Sequence, residues 1–190
     1  MFFRSLHPII SPVSIPRSID CFSGISGDMI LGAFVNMEID INEIRKRLKS
    51  LNLKGYKLQS KDVKRNGFNG CKVDVILNKS SQINKAARSY KVIKSIIQKS
   101  DLPQIVKNNS IEIFLRLVNA EAKVHGTTID KIHFHEVGAI DSIIDIVGGS
   151  LCMFLLNVDY VISSPINTGE GVVKCEHGNL PIPAPATIEL

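Results

Sequence analysis

Val137, Ile140, Ile144, Val147 and Leu151 recur at intervals of 3, 4, 3 and 4 residues. That spacing is the apolar stripe of a helix with one face in a core. Ile143 and Ile146 widen the stripe, so the helix is expected to be largely buried. A chain that carries such a helix has to build its core around it. Asp141 and Asp145 stand four residues apart on the flank of the stripe. Burying an unpaired carboxylate costs several kcal/mol, so the pair needs a cation, an array of donors or water. Two readings stand open. Backbone N–H groups of a neighbouring loop satisfy the pair, or it does metal or proton chemistry and is catalytic. Gly148-Gly149 lowers helix propensity and leaves room for another element to come close.

Just upstream, HFHE places His133 and His135 at i and i+2, with Glu136 beside them. In an extended segment both imidazoles face the same way. Such a set can start a transition-metal site, although HxH alone is a weak signal. Cys175 and His177 repeat the spacing, and a thiol with an imidazole suits nickel, copper or zinc. A hairpin turn explains that second pair equally well. His125 ends a helix and is read as a capping or packing histidine.

Residues 20–28 read DCFSGISGD, a Ser/Gly turn leading into an apolar helix expected over 29–37. Turns of this kind at helix starts present free N–H groups and suit anions. No Gly-Lys-Ser/Thr follows, so this is not a Walker A loop, and it is not GxGxxG. Taken alone, it is more simply a tight structural turn.

The remaining segments read as a mixture of helices and strands. Asp40 caps a helix, with Glu43 three residues on to complete a capping box. Ile41, Ile44, Leu48 and Leu51 form its apolar stripe, and the basic residues Arg45 to Lys49 are a solvated face. Residues 56–62 and 71–77 alternate as a β-hairpin around Asn66-Gly67, and 78–84 is a polar loop. Helices are expected over 90–98, with Val92, Ile93, Ile96 and Ile97 inward, and over 110–125, ended by Gly126. Strands are expected over 160–166 and 172–174. Pro181, Pro183 and Pro185 impose an extended segment, and Thr187 caps a new helix. The class is α+β: one mixed β-sheet from the segments near Asp20, Tyr56, Cys71, Tyr160 and Val172, packed against several helices in a single main domain.

Residues 1–18 carry Pro8, Pro12 and Pro16 and no acid. They are expected to be a disordered leader or a misassigned start, with the domain over 19–190. The net charge of +5 is spread along the chain without a long basic run, so nucleic acid is not the expected partner. Cys21, Cys71, Cys152 and Cys175 form no CxxC pair, which excludes a zinc ribbon and a thioredoxin motif and suits reduced thiols in the cytoplasm. No apolar run approaches the ~20 residues of a membrane span.

Four segments then line up in one order: DCFSGISGDMILGA at 20–33, HFHEVGAIDSIIDIVG at 133–148, SSPINTGEG at 163–171 and HGNLPIPAPATIEL at 177–190. Together they closely resemble the LarC family, the nickel-insertion proteins of nickel-pincer cofactor biosynthesis. The resemblance implies that Ni2+ is inserted into pyridinium-3,5-bisthiocarboxylic acid mononucleotide, giving one carbon–nickel and two sulfur–nickel bonds. It also implies use of CTP with Mg2+ or Mn2+. Family members continue past PAPAT through a histidine-rich region into a C-terminal domain credited with CTP binding. The chain is therefore expected to be truncated one turn into a helix, with a separately encoded C-terminal half as an expected partner and a homo-oligomer open. On this resemblance His133, His135, Glu136 and His177 hold or relay nickel. Asp141 and Asp145 orient those ligands, coordinate directly or take up the ring proton. Ser23, Gly24, Ser26, Gly27 and Asp28 hold a phosphate. Competing readings are a nickel-binding half without catalysis of its own, a metal-dependent hydrolase using the same residues, and a decayed remnant.

Overall fold

The computed structural model describes residues 17–37, 39–65, 67–78, 88–134, 139–175 and 178–190. Arg17–Ile19 is strand β1, followed by the turn and helix α1 over Gly27–Asn36. Helix α2 is Ile41–Leu48, and Tyr56–Arg65 (β2) and Phe68–Leu77 (β3) form a hairpin. After β4 (Arg88–Ser89) come helices α3 (Tyr90–Gln98) and α4 (Gln104–Val124). Strand β5 is His133–Phe134, and the striped segment forms α5 over Ile140–Leu155. Val161–Ser163 (β6), Gly171–Cys175 (β7), Gly178–Ile182 (β8) and the short helix α6 (Pro185–Ile188) complete the described chain.

Helix α5 is the centre of the core. Ile143, Ile144, Val147, Leu151 and Cys152 have no solvent exposure, and α1, α2 and α4 all pack on it. Val137 lies outside the described residues. Gly148 does what its missing side chain allows. A Cβ there would sit 3.0 Å from Leu31 Cδ2, so α1 closes on α5 at that point.

The α+β class holds, but the strands do not form one mixed sheet. Among the described residues they pair as four two-stranded ladders: β1–β6 parallel, and β2–β3, β4–β5 and β7–β8 antiparallel. The reason is α1. It lies so close to β3 that a Cβ on Gly32 would come 2.4 Å from the Cys71 carbonyl oxygen. Its other flank walls a cleft with β1. The helix thus stands between the hairpin and the β1–β6 pair.

Local chemistry explains the element ends. The Asp40 carboxylate accepts the Asn42 N–H at 2.8 Å and caps α2. Glu43 instead pairs with Arg47 at 2.5 Å, four residues along the same helix, so only half of the expected capping box forms. Asp40→Ala is expected to cost about 1 kcal/mol in a urea unfolding curve, and Glu43→Ala less than about 0.5 kcal/mol. Helix α4 starts earlier than expected because Pro103 supplies its N-cap and Val106 and Ser110 are buried in its first turns. Gly126 follows it with φ +60, and Thr127 N–H reaches the Ala122 carbonyl at 3.0 Å, as a left-handed helix end requires. Val92 is exposed, not inward, because the buried pair on α3 is Ile93 and Ile97. Thr187 lies inside α6, whose N-cap is Ala184. The hairpin is longer than expected, with register from Tyr56↔Leu77 to Arg65↔Phe68. Asn66 and the expected loop beyond Asn78 fall outside the described residues, while Gly67 has the φ of +87 that its turn position needs.

Candidate functional site

Residues 20–28 are held by the second half of the chain. Strand β6 pairs with β1, Arg17↔Val161 through Ile19↔Ser163, and Ser164 N–H continues the ladder to the Ile19 carbonyl at 3.0 Å. The Ser164 hydroxyl accepts the Cys21 N–H at 2.7 Å and donates to the Asp20 carboxylate at 3.3 Å. Asn167 donates from its side chain to the Phe22 carbonyl at 3.2 Å and from its N–H to the Cys21 carbonyl at 3.3 Å. Gly24 has φ +83, and a Cβ on it would lie 3.0 Å from the Asn167 carbonyl oxygen. A non-glycine residue there is strained in backbone and crowded in space. The loop at 163–171 therefore fixes the shape of the turn. Ser164 and Asn167 were not among the expected site residues. Their only sequence signal was that SSPINTGEG is one of the four segments that carry the family resemblance.

The turn ends at the start of α1, which abuts α5. A Cβ on Gly27 would stand 2.3 Å from Asp145 Cβ and 2.6 Å from its Cγ and Oδ2. Only a glycine at this first helical position lets the Asp145 side chain lie against the helix start. The Asp28 carboxylate accepts the Ser26 hydroxyl and, at 2.9 Å, the Met29 N–H. Asp141 accepts the Ser142 N–H at 2.9 Å. Asp145 differs from both: its Oδ1 is buried without a hydrogen-bond partner among the described residues. Burial pushes its pKa up to about 7, with the Asp28 and Asp141 charges adding in the same direction. The positive end of α1 works against that rise, and burial and charge repulsion outweigh it. Two groups of expected residues, the 23–28 turn and the Asp141/Asp145 pair, thus meet in space although more than 110 residues separate them in the chain.

The histidines are placed differently. His133 lies exposed on β5, opposite Ser89 of β4. His135, Glu136 and His177 lie outside the described residues. Among the described residues no group of three or more His, Cys, Asp and Glu side chains is arranged to hold a metal ion. The Asp28 and Asp141 charges raise the Asp145 pKa. Cys21, Cys71 and Cys152 are free. Burial pushes the Cys152 thiol up to about 12, so without a metal it is a neutral thiol at pH 7. His125 Nε2 lies 3.5 Å from Glu121 in the last turn of α4, in keeping with its capping role. No helix among the described residues is long and apolar enough to cross a membrane.

The chain as a whole, and not this arrangement alone, has relatives among known proteins. The chain belongs to the nickel insertion protein family, which it matches over residues 18–190. It is 45% identical over 178 residues to the pyridinium-3,5-bisthiocarboxylic acid mononucleotide nickel insertion protein of Geobacillus kaustophilus, covering 90% of this chain and 43% of that protein. The protein of the same name from Desulfitobacterium hafniense is 48% identical over 172 residues, covering 90% and 42%. That of Clostridium kluyveri is 42% identical over 180 residues, covering 90% and 45%. The chain thus spans less than half the length of the curated relatives it matches. No solved structure matches it.

Proposed function

We propose that this chain takes part in inserting nickel into pyridinium-3,5-bisthiocarboxylic acid mononucleotide, with Asp145 as the base for the ring proton. Family membership supports the reaction class, and the names of the relatives supply the substrate. The observation that carries the role of Asp145 is its buried, unpartnered carboxylate oxygen at the start of α1. Ni2+ enters as a substrate. A ring C–H bond breaks, its electron pair forms the carbon–nickel bond, and the proton passes to Asp145. The thiocarboxylate sulfurs supply the two other bonds, and nickel stays divalent. A base with a pKa of about 7 is half ionised at neutral pH and still basic enough to accept a proton. Asp28 and Asp141 keep it so, because their charges oppose ionisation of a third carboxylate.

Nickel is delivered by His133, with His135, Glu136 and His177 completing the set. Imidazole and carboxylate hold Ni2+ more labilely than thiolates, as a donor that must release its metal requires. The Ser23 and Gly24 end of the turn receives the substrate phosphate. The Ser26, Gly27 and Asp28 end positions Asp145. CTP with Mg2+ or Mn2+ belongs to the C-terminal part that the relatives possess, and the reaction is cytoplasmic, without membrane or nucleic acid. The chain's coverage of under half of its relatives also supports a second reading, a nickel-binding half that works only with its C-terminal counterpart.

The test is incubation with the mononucleotide and Ni2+, with and without CTP, Mg2+ and a C-terminal half, followed by mass spectrometry. Gain of nickel with loss of protons supports the reaction, and phosphoester cleavage in its place would show a hydrolase. A nickel titration by calorimetry is expected to lose at least about tenfold in affinity in the His133→Ala/His135→Ala double variant. Unchanged binding removes those histidines from the nickel path.

A further inference from the structure

Residues 160–173 read YVISSPINTGEGVV and hold one charged residue, Glu170. Their six large apolar side chains, Tyr160, Val161, Ile162, Ile166, Val172 and Val173, are all exposed, Val172 to 68%. Single exposed apolar residues are ordinary, whereas a continuous stretch of them marks a surface that receives a partner. Val172 and Val173 are neighbours on β7 and point to opposite faces of the β7–β8 ladder, so that hairpin is open on both sides. Strand β6 is exposed along its whole length. Among the described residues it pairs only with β1, over three residues. Parallel strands are normally covered on both faces, and a two-stranded ladder with nothing against it is marginal in water. The stretch is also continuous with the candidate site. Ser164 and Asn167 lie within it and hold the turn at 20–28, and a Cβ on Gly169 would stand 3.3 Å from Ile182 Cγ2 of β8.

We infer that the surface of residues 160–173 receives the C-terminal portion of a nickel insertion protein, docked along β6 and the β7–β8 hairpin. The inference rests on the second reading above, a half that works with a C-terminal counterpart, and says where that counterpart sits. The occupant follows from the relatives. They hold this unit and more than as much again, since the chain covers 43% of the Geobacillus kaustophilus protein and 42% of that from Desulfitobacterium hafniense. A surface with one charge and many exposed valine and isoleucine side chains matches the core of a permanent interface, not the polar rim of a transient one. A strand added beside β6 supplies the third strand that the parallel pair lacks, through backbone groups that β6 leaves free on its other edge. The same loop shapes the turn at 20–28, so a partner docked there lies beside the turn that leads to Asp145.

The probe is the C-terminal portion of the Geobacillus kaustophilus protein, beyond the 43% that the chain matches. It is co-expressed with the tagged chain, and in a second form the two are fused in one polypeptide. The wild-type chain is expected to retain the co-expressed portion. Ile162→Lys and Val172→Lys, both at exposed positions, are expected to weaken retention at least about tenfold. Circular dichroism and thermal unfolding of the chain alone should stay as in wild type for both variants. Val92→Lys, at an exposed position on α3 outside the surface, should retain the portion like wild type. In the fused protein, amide hydrogen exchange over 160–173 is expected to slow at least about tenfold against the chain alone. Unchanged exchange in the fusion overturns the inference, whether or not the co-expressed portion is soluble. Equal retention by the folded lysine variants also overturns it. So does a dimer of the chain alone that Val172→Lys dissolves, since the surface then belongs to a second copy. Retention without nickel transfer in the complete system overturns the proposed reaction and leaves the surface standing. Nickel transfer at the wild-type rate by Ile162→Lys and Val172→Lys with the co-expressed portion does the reverse.

Discussion

Asp145→Asn is expected to make the protein more stable at pH 8 and to abolish nickel insertion. The two effects have one cause. In the folded chain the Asp145 pKa is raised to about 7, first by burial and then by Asp28 and Asp141. In the unfolded chain it returns to about 4. Between those values the native state holds a proton that the unfolded state has lost, so stability falls as pH rises from about 4 to about 7 and is level above that. The full linkage corresponds to roughly 4 kcal/mol, which solvent contact of the side chain reduces to about 1–2 kcal/mol. Asparagine has nearly the same shape and no charge. Urea unfolding should show the variant about 1–2 kcal/mol more stable than wild type at pH 8 and nearly equal at pH 4. In the proposed reaction the same substitution removes the proton acceptor, and the insertion rate should fall by roughly 10²–10⁴. A variant that is both more stable and fully active would disconnect Asp145 from the chemistry. One that is less stable at pH 8 would show that its carboxylate has a partner in solution.

Gly32→Ala is expected to destabilise the chain by about 2–4 kcal/mol. A Cβ at this position meets the Cys71 carbonyl oxygen at 2.4 Å and its carbon at 3.3 Å. Both atoms belong to backbone held in the β2–β3 ladder, where Cys71 pairs with Asp62, so no side chain can turn aside to relieve the contact. Helix α1 would have to shift away from the hairpin, and its contacts with α5 would shift with it. Thermal unfolding should register a large drop in Tm, and Asp145 should gain solvent because its cover at Gly27 lies on the same helix. By contrast, Gly70 has open space around its missing Cβ, and Gly70→Ala should change stability by less than about 0.5 kcal/mol.

Helix α5 was legible from periodicity because its stripe is continuous and each turn from Ile140 to Cys152 carries buried residues. Helix α3 was legible to the residue, since Ser89 and the Lys99 end bound a short clean pattern. The pairing of the strands was not. Each strand of β1–β6 is three residues long, too short for alternation to say which strand lies beside it. The single mixed sheet failed for the same reason, because nothing local announces that a helix will lie against β3. Gly32 gave no warning either, since in the sequence it is one more small residue in an apolar helix.

For the site, the sequence by itself determined the chemistry available: Asp141 and Asp145 on the flank of a buried helix, a Ser/Gly turn at a helix start, and a histidine segment before α5. It determined these because helix period and turn composition are local properties. The tertiary structure decided which of them share a place. It set Asp145 against Gly27, put Asp28 and Asp141 near enough to raise its pKa, and tied the turn through Ser164 and Asn167 to a loop 140 residues downstream. Desolvation and charge repulsion depend on what packs around a carboxylate. A residue that the sequence gives only as an acid has its pKa raised toward neutrality by the fold alone.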